Sequence, residues 1–226
     1  MLQIWDFIMA IPPVSRTYLG AATALMLITR LGLVNRFQYY LNWQLVFKEF
    51  QIWRIFTAFI YAGPASFNFV WTMLFAYRYL VALEEGSFRG RRAAYVLFFF
   101  YSMVFTTFFA FLTPSAYPSA SFLMCVVYLW CRRNRSQRVN FMGWIVVTDY
   151  LPWIMFGMTV ILGNSYMADG IGILCGHTYY FLEDVFPRQP GGWRILKTPR
   201  WLKCIFDERY PVSEDERRDD MAVGRD

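Results

Sequence analysis

His177 is the only histidine among 226 residues, and it stands in an apolar stretch, "GIGILCGHTYYFLEDVFP" (170–187). A lone imidazole there has the chemistry of a proton carrier, and its natural companion is a hydroxyl to activate. Ser119 and Ser121 supply two hydroxyls at the start of another apolar segment. Asp149 and Asp169, near the ends of apolar runs, form a second pairing with acid–base chemistry. The four cysteines, Cys125, Cys131, Cys175 and Cys204, contain no Cys-x-x-Cys pair. They read as small packing residues, not as a zinc site or disulfide framework. No metal or other cofactor is expected, and no Gly-x-x-x-x-Gly-Lys nucleotide loop occurs.

The elements that must position these groups follow from composition. The chain is 57% hydrophobic and 21% aromatic, with 17% charged residues, whereas soluble domains carry about 25% charge. The class is an all-α membrane protein. Spanning a bilayer takes roughly 20 apolar residues, and six candidate segments emerge at about 17–34, 67–83, 93–112, 116–131, 150–163 and 167–186. The fifth, with about 14 uncharged residues, reaches only ~21 Å against a ~30 Å hydrocarbon core. A second reading extends it upstream through "FMGWIVVTD", burying Asp149 near a span end.

The net charge of +6 lies mainly in short loops and in the tail, a membrane-topology pattern and not a nucleic-acid surface. "GSFRGRR" (86–92), "CRRNRSQR" (131–138) and Arg188, Arg194, Lys197, Arg200 and Lys203 fall on one side if six segments span and both termini share that side. The positive-inside rule makes it the cytosolic side. Residues 1–13 have one apolar helical face and read as an interfacial helix, not a cleaved signal. The membrane domain then runs over 14–187 and a cytosolic tail over 188–226, disordered after about 210. The first loop, 35–66, is rich in aromatics and suits the headgroup zone, with short surface helices and Trp43 and Trp53 dipping inward.

Gly172 and Gly176 share one face of the sixth segment, extended by Ala168, and admit a close helix neighbour. Arg78, near the end of segment two, lies at the depth of Glu183 and Asp184, so an ion pair and free snorkelling are both open. Glu84 and Glu85 read as solvated loop residues.

Five stretches carry a resemblance: "PPVSRTY" (12–18), "QIWRIFTAFIYAGP" (51–64), "RYLVALEEGSFRGR" (78–91), "YLPW" (150–153) and the 170–187 motif. Over about residues 1–200 the sequence resembles the rhomboid superfamily and, within it, the derlins, inactive members of the endoplasmic reticulum. The resemblance implies a rhomboid-like six-transmembrane-helix bundle with a membrane-embedded first lumenal loop pinned by Trp53 and Arg54; for Arg54, snorkelling to lipid phosphate is the plainer role. Active rhomboids place their histidine three residues before the first glycine of the pair, here Asp169. His177 lies eight residues farther on, about 12 Å along the axis and rotated by about 80°, so it does not replace that base. The rhomboid Gly-x-Ser-Gly turn is absent from the sequence. Hence no catalytic residue is assigned, and His177 reads as a buried polar group bonded to a neighbouring helix.

By the same resemblance the protein is a non-catalytic component of endoplasmic-reticulum-associated degradation. It would help misfolded clients return to the cytosol through a lateral groove and a locally thinned bilayer. Expected partners are misfolded proteins, membrane lipids, a membrane E3 ubiquitin ligase complex and a cytosolic AAA ATPase. The tail "DDMAVGRD" lacks the Phe- and Gly-containing box of many derlins, which points to ATPase recruitment through another subunit. Homo- or hetero-oligomerisation stays open. The competing readings are a scaffold or chaperone that binds client helices without transport, and an intramembrane hydrolase using Asp149 with Asp169. The topology predicts that a glycosylation acceptor placed at residue 217 stays unmodified in microsomes; its modification overturns the assignment.

Overall fold

Pro12-Pro13 both ends the preceding segment and starts a helix, because proline at the first helical position loses no needed hydrogen bond. In the computed structural model, which describes residues 6, 8–112, 118–141, 143–161, 166–190, 193 and 195–206, α1 runs Pro13–Arg30. It ends where Gly32 takes φ 72° and the Leu33 amide bonds back to the Ile28 carbonyl at 3.2 Å, a glycine-terminated cap. The first loop contains a 3₁₀ turn Arg36–Gln38, α2 Trp43–Lys48 and α3 Trp53–Ile60. Helix α4, Phe67–Ala82, is capped by the Ser66 hydroxyl, which accepts from the Phe69 amide at 3.3 Å. Then follow α5 Arg92–Leu112, α6 Ser119–Arg133, α7 Leu151–Ile161, α8 Tyr166–Tyr180 and α9 Arg200–Phe206.

Helix α6 is the centre. It is buried on nearly every side, from Ser119 to Cys131, as expected of a helix that is apolar all round. Helices α4, α5, α7 and α8 pack around it, and α3 reaches it from the first loop. Phe122 gathers the aromatic core, with ring centroids 4.5 Å from Phe59, 4.8 Å from Phe99 and 5.2 Å from Tyr18.

One departure from an all-α chain is an antiparallel hairpin, β1 Arg138–Phe141 and β2 Trp144–Val147, with Arg138 opposite Val147 and Phe141 opposite Trp144. It overturns the upstream extension of the fifth segment. Gly143 at φ 91° makes the turn, and the β-branched run Ile145-Val146-Val147-Thr148 prefers a strand. Asp149 therefore precedes a helix that starts at Leu151. Helices occupy all six segments, but among the described residues only Arg92–Phe111 is long and apolar enough to cross a membrane by itself. Residues 8–10 are helical and exposed; the rest of the proposed interfacial helix (1–5 and 7) and the proposed disordered end (after 210) lie outside the described residues.

Glu84 is not a solvated loop residue. Helix α4 widens into a π turn over Leu83–Ser87, where the Phe88 amide bonds to the Leu83 carbonyl at 3.0 Å. That extra residue per turn brings Glu84 inside, 4% exposed. Its carboxylate accepts from the Val14 amide at 3.1 Å, the Ser15 amide at 2.8 Å and the Ser15 hydroxyl at 2.6 Å. These are the amides that a helix leaves unpaired at its N-terminus, and a negative charge there suits the helix dipole. Tyr95 of α5 adds a bond from its hydroxyl to the Leu80 carbonyl at 3.0 Å, so α1, α4 and α5 meet at one buried polar joint. Glu84→Ala leaves these donors without an acceptor and should lower stability by about 2–3 kcal/mol, with Glu84→Gln in between and Glu85→Ala near wild type. Denaturation of the purified variants in detergent checks the order; equal loss at positions 84 and 85 contradicts it.

Candidate functional site

The centre of the site is the contact of α6 with α8. A Cβ at Gly172 would run into the Ser121 carbonyl oxygen and lie 2.7 Å from Met124 Cβ and 3.2 Å from the Cys125 amide. At Gly176 it would meet Tyr128 Cδ1 at 2.9 Å and the Cys125 carbonyl at 3.0 Å. The two helices touch backbone to backbone, which only glycine allows. Between the glycines, Cys175 packs its Sγ 3.4 Å from that of Cys125, and the Ser102 hydroxyl of α5 lies 3.7 Å from Cys125 Sγ.

Catalytic geometry is absent among the described residues. The Ser119 hydroxyl donates to the Tyr61 carbonyl at 2.7 Å, which ties the end of α3 to the start of α6. Ser121 is buried against α8. Asp169, three residues before Gly172, stands beside Thr159 of α7. His177 is farther along α8, where its Nδ1 and the Tyr128 hydroxyl are 2.8 Å apart; Arg132 Nε donates to that same hydroxyl at 2.9 Å. Asp149 precedes α7 on the Cys131 side, while Asp169 lies at the other end of α7. The two carboxylates are thus about a helix length apart, and a shared acid–base centre is excluded. No group of three metal-ligating side chains occurs among the described residues.

The first loop is organised by Arg54, which is 8% exposed. Its Nη1 donates to the carbonyls of Phe37, Gln38 and Tyr40 at 3.1, 2.9 and 3.1 Å, and its Nε donates to Gln51 Oε1 at 2.6 Å. The guanidinium therefore looks into the loop, not out to phosphate. Trp53 is 57% exposed and lies on the outer surface, so the inward residue of the pair is the arginine. Trp43 sits against the end of α5, its ring edge-on to Phe111 at 5.3 Å.

At the other end of the bundle the Arg78 pairing is corrected. Arg78 donates to the Asn140 carbonyl of β1 at 3.1 Å. The partner of Asp184 is Arg133 of α6, Nε to Oδ2 at 2.8 Å, whose guanidinium also covers the Phe88 ring at 4.5 Å. Glu183 is half-buried beside Asp184 in the wide turn that ends α8.

A profile of the Der1-like family matches residues 11–200. The chain belongs to the Der1-like family. Derlin-2.2 of Zea mays is 36% identical over 224 residues, spanning 90% of this chain and 86% of its own. Derlin-2.2 of Arabidopsis thaliana is 35% identical over 218 residues, 91% and 89% of the two chains. The probable derlin-2 homolog of Dictyostelium discoideum is 34% identical over 216 residues, 92% and 85%. This Der1-like chain is accordingly a mostly helical membrane protein.

Sequence reasoning missed Glu84, Arg133 and Ser119 as structural anchors. For Glu84 a signal existed: an acidic pair directly after an apolar helix, opposite a Pro-Pro helix start whose amides need an acceptor. The packing predicts a graded result. Gly172→Ala forces backbone apart and should cost about 1–3 kcal/mol, Gly176→Ala less, and Gly170→Ala almost nothing, since its nearest neighbour is Phe156 at 4.0 Å. Thermal denaturation of the three variants decides it; a Gly172→Ala variant as stable as Gly170→Ala is inconsistent with the close contact.

Proposed function

We propose that this Der1-like protein is a non-catalytic component of endoplasmic-reticulum-associated degradation that helps misfolded proteins cross to the cytosol. In this reading α1, α4, α5, α6, α7 and α8 span the endoplasmic reticulum membrane with both termini in the cytosol. The basic loops at 86–92 and 131–138 support that orientation. The observation that carries the proposal is that the candidate reactive groups are engaged elsewhere. Ser119 is bonded to a backbone carbonyl, and Asp169, at the position where the rhomboid resemblance implies a histidine, stands beside Thr159, next to an α6–α8 contact that is close-packed.

A path for a client is supported on the flank between α4 and α7, which scarcely touch. Both helices carry exposed large apolar side chains, Val70, Trp71 and Leu74 on α4 and Trp153, Ile154 and Val160 on α7. The described α7 has 11 residues, about 16 Å at 1.5 Å per residue, against a ~30 Å core. A helix that short favours a thinned bilayer beside it, which lowers the cost of exposing backbone polar groups to hydrocarbon. A membrane ubiquitin ligase complex receives the client, and a cytosolic AAA ATPase recruited through another subunit pulls it.

A photocrosslinker at Trp71 or Trp153 should capture a stalled lumenal client, whereas one at Phe108 on α5 should not. Arg54→Ala, by releasing three loop carbonyls, should lengthen the half-life of a misfolded client several-fold. Capture only of membrane-embedded helices, with unchanged client turnover in Arg54→Ala, would favour a scaffold without transport. Cleavage of a model transmembrane peptide, lost in Ser119→Ala or Ser121→Ala, would refute the non-catalytic reading.

A further inference from the structure

Pro199 opens α9, its carbonyl accepting from the Leu202 and Lys203 amides at 3.1 and 3.2 Å. The helix packs against α5 and carries two apolar faces. Leu202, which is 6% exposed, and Phe206 lie one turn apart on the first. Phe206 lines a hollow of about 510 Å³ between α1 and α5, with Val14, Tyr18, Val96 and Phe99. The second face is uncovered: Trp201 and Ile205, also one turn apart, are 64% and 67% exposed. The approach to α9 is built alike. Leu196 packs on the bundle core, whereas Trp193 and Ile195 are exposed. The segment is thus tied to the bundle through Leu196, Leu202 and Phe206, and its other large apolar side chains stand free.

Position and charge say what covers them. Ile205 lines the same hollow as Phe100. Phe100 begins the exposed α5 stripe Phe100, Val104, Phe108 and Phe111, on the one described helix long and apolar enough to cross a membrane by itself. The free face of α9 therefore adjoins the exposed side of α5. Along the same segment Arg194, Lys197, Arg200 and Lys203 recur at every third residue, with no acidic residue from 193 to 206. Tryptophan interleaved with lysine and arginine is the composition of the headgroup boundary. Apolar side chains among basic ones suit an anionic lipid surface better than either water or hydrocarbon. A transient protein partner would leave Trp201 and Ile205 in water each time it dissociated, whereas lipid beside α5 covers them always.

We propose that residues 193–206 are an interfacial anchor for an anionic phospholipid surface. Trp193, Ile195, Trp201 and Ile205 sink among the headgroups, and Lys197 and Arg200, both exposed, lie against lipid phosphates. That the surface is the cytosolic leaflet rests on the proposed topology; the preference for anionic lipid does not. Nor does the anchor depend on client transport, since it lies outside the α6–α8 contact and uses neither Arg54 nor Ser119.

Cys204 gives the test its probe: it is exposed on α9, while Cys125, Cys131 and Cys175 are buried. A thiol-reactive, environment-sensitive fluorophore therefore marks α9 in the full-length protein. The labelled protein goes into nanodiscs of phosphatidylcholine with or without a minor fraction of phosphatidylserine. Both faces of a disc carry the same lipid, so the result is independent of membrane orientation. Phosphatidylserine should shift the emission to the blue, cut quenching by acrylamide several-fold and raise quenching by brominated acyl chains. Lys197→Gln combined with Arg200→Gln should abolish that response. Trp201→Ser combined with Ile205→Ser should lower bromolipid quenching in both discs. All four side chains are exposed, so these variants keep the bundle folded. Equal acrylamide access in the two lipids overturns the proposal, as does a phosphatidylserine response that survives the loss of Lys197 and Arg200. Bromolipid quenching unchanged without Trp201 and Ile205 also overturns it, and so does a photocrosslinker at Trp201 that captures a second copy in place of lipid.

Discussion

Backbone polar groups shut away from water must find their hydrogen bonds within the protein, because a buried donor or acceptor left unmet is costly. Two charged side chains meet that demand at opposite ends of α1. Arg54 gathers three carbonyls of the first loop, and Glu84 gathers two amides and a hydroxyl at the start of α1. In each case the charge is buried without a counter-ion of full opposite charge among the described residues; converging peptide dipoles take its place. The chemistry is complementary, with a cation for carbonyls and an anion for amides. Because one residue answers several groups, the loop and the helix start behave as units and do not fray separately.

With those ends fixed, the interior is left to shape. Gly172 and Gly176 draw α8 onto α6 until backbone meets backbone. Thiols and a hydroxyl fill what remains between α5, α6 and α8. This is the packing regime of membrane bundles, where lipid is as apolar as leucine and close contact replaces the hydrophobic drive between helices. Several polar side chains in the bundle are paired across elements: Tyr128 with His177, Arg133 with Asp184, Ser119 with the Tyr61 carbonyl.

How much of this was legible in sequence depended on range. Periodicity and run length marked the six helical segments, and a four-residue glycine spacing marked the α6-facing side of α8, since those signals are local. Arg54 stood out through the Trp53-Arg54 pair of the resemblance, though its direction did not, because whether a guanidinium snorkels or turns inward depends on carbonyls about 15 residues away. For Arg78, depth alone left an ion pair with Glu183 or Asp184 and free snorkelling both open. Depth fixes one coordinate, and the azimuth around α8 selects Arg133. Glu84 was hidden by its neighbours: among Glu85, Arg89, Arg91 and Arg92 a carboxylate looks solvated, and only the π turn brings it inside. The hairpin at 138–147 was missed because Ile145, Val146 and Val147 extend an apolar run, which a buried helix and a strand share.

The single histidine is placed as a structural partner between two helices. An imidazole that acts as a base needs a free nitrogen facing a nucleophile. His177 instead has Nδ1 against a tyrosine hydroxyl that already accepts from Arg132. That arrangement favours a hydroxyl that donates to the ring and accepts from the guanidinium, a short chain of polar groups linking α6 to α8 near their Arg133–Asp184 end. Three residues before Gly172, Asp169 stands beside Thr159 of α7. Neither side chain bears on Gly172 or Gly176, because the glycines act through backbone distance and not through any reactive group. The contacts that hold α8 on α6 are thus independent of where the titratable side chains of α8 point.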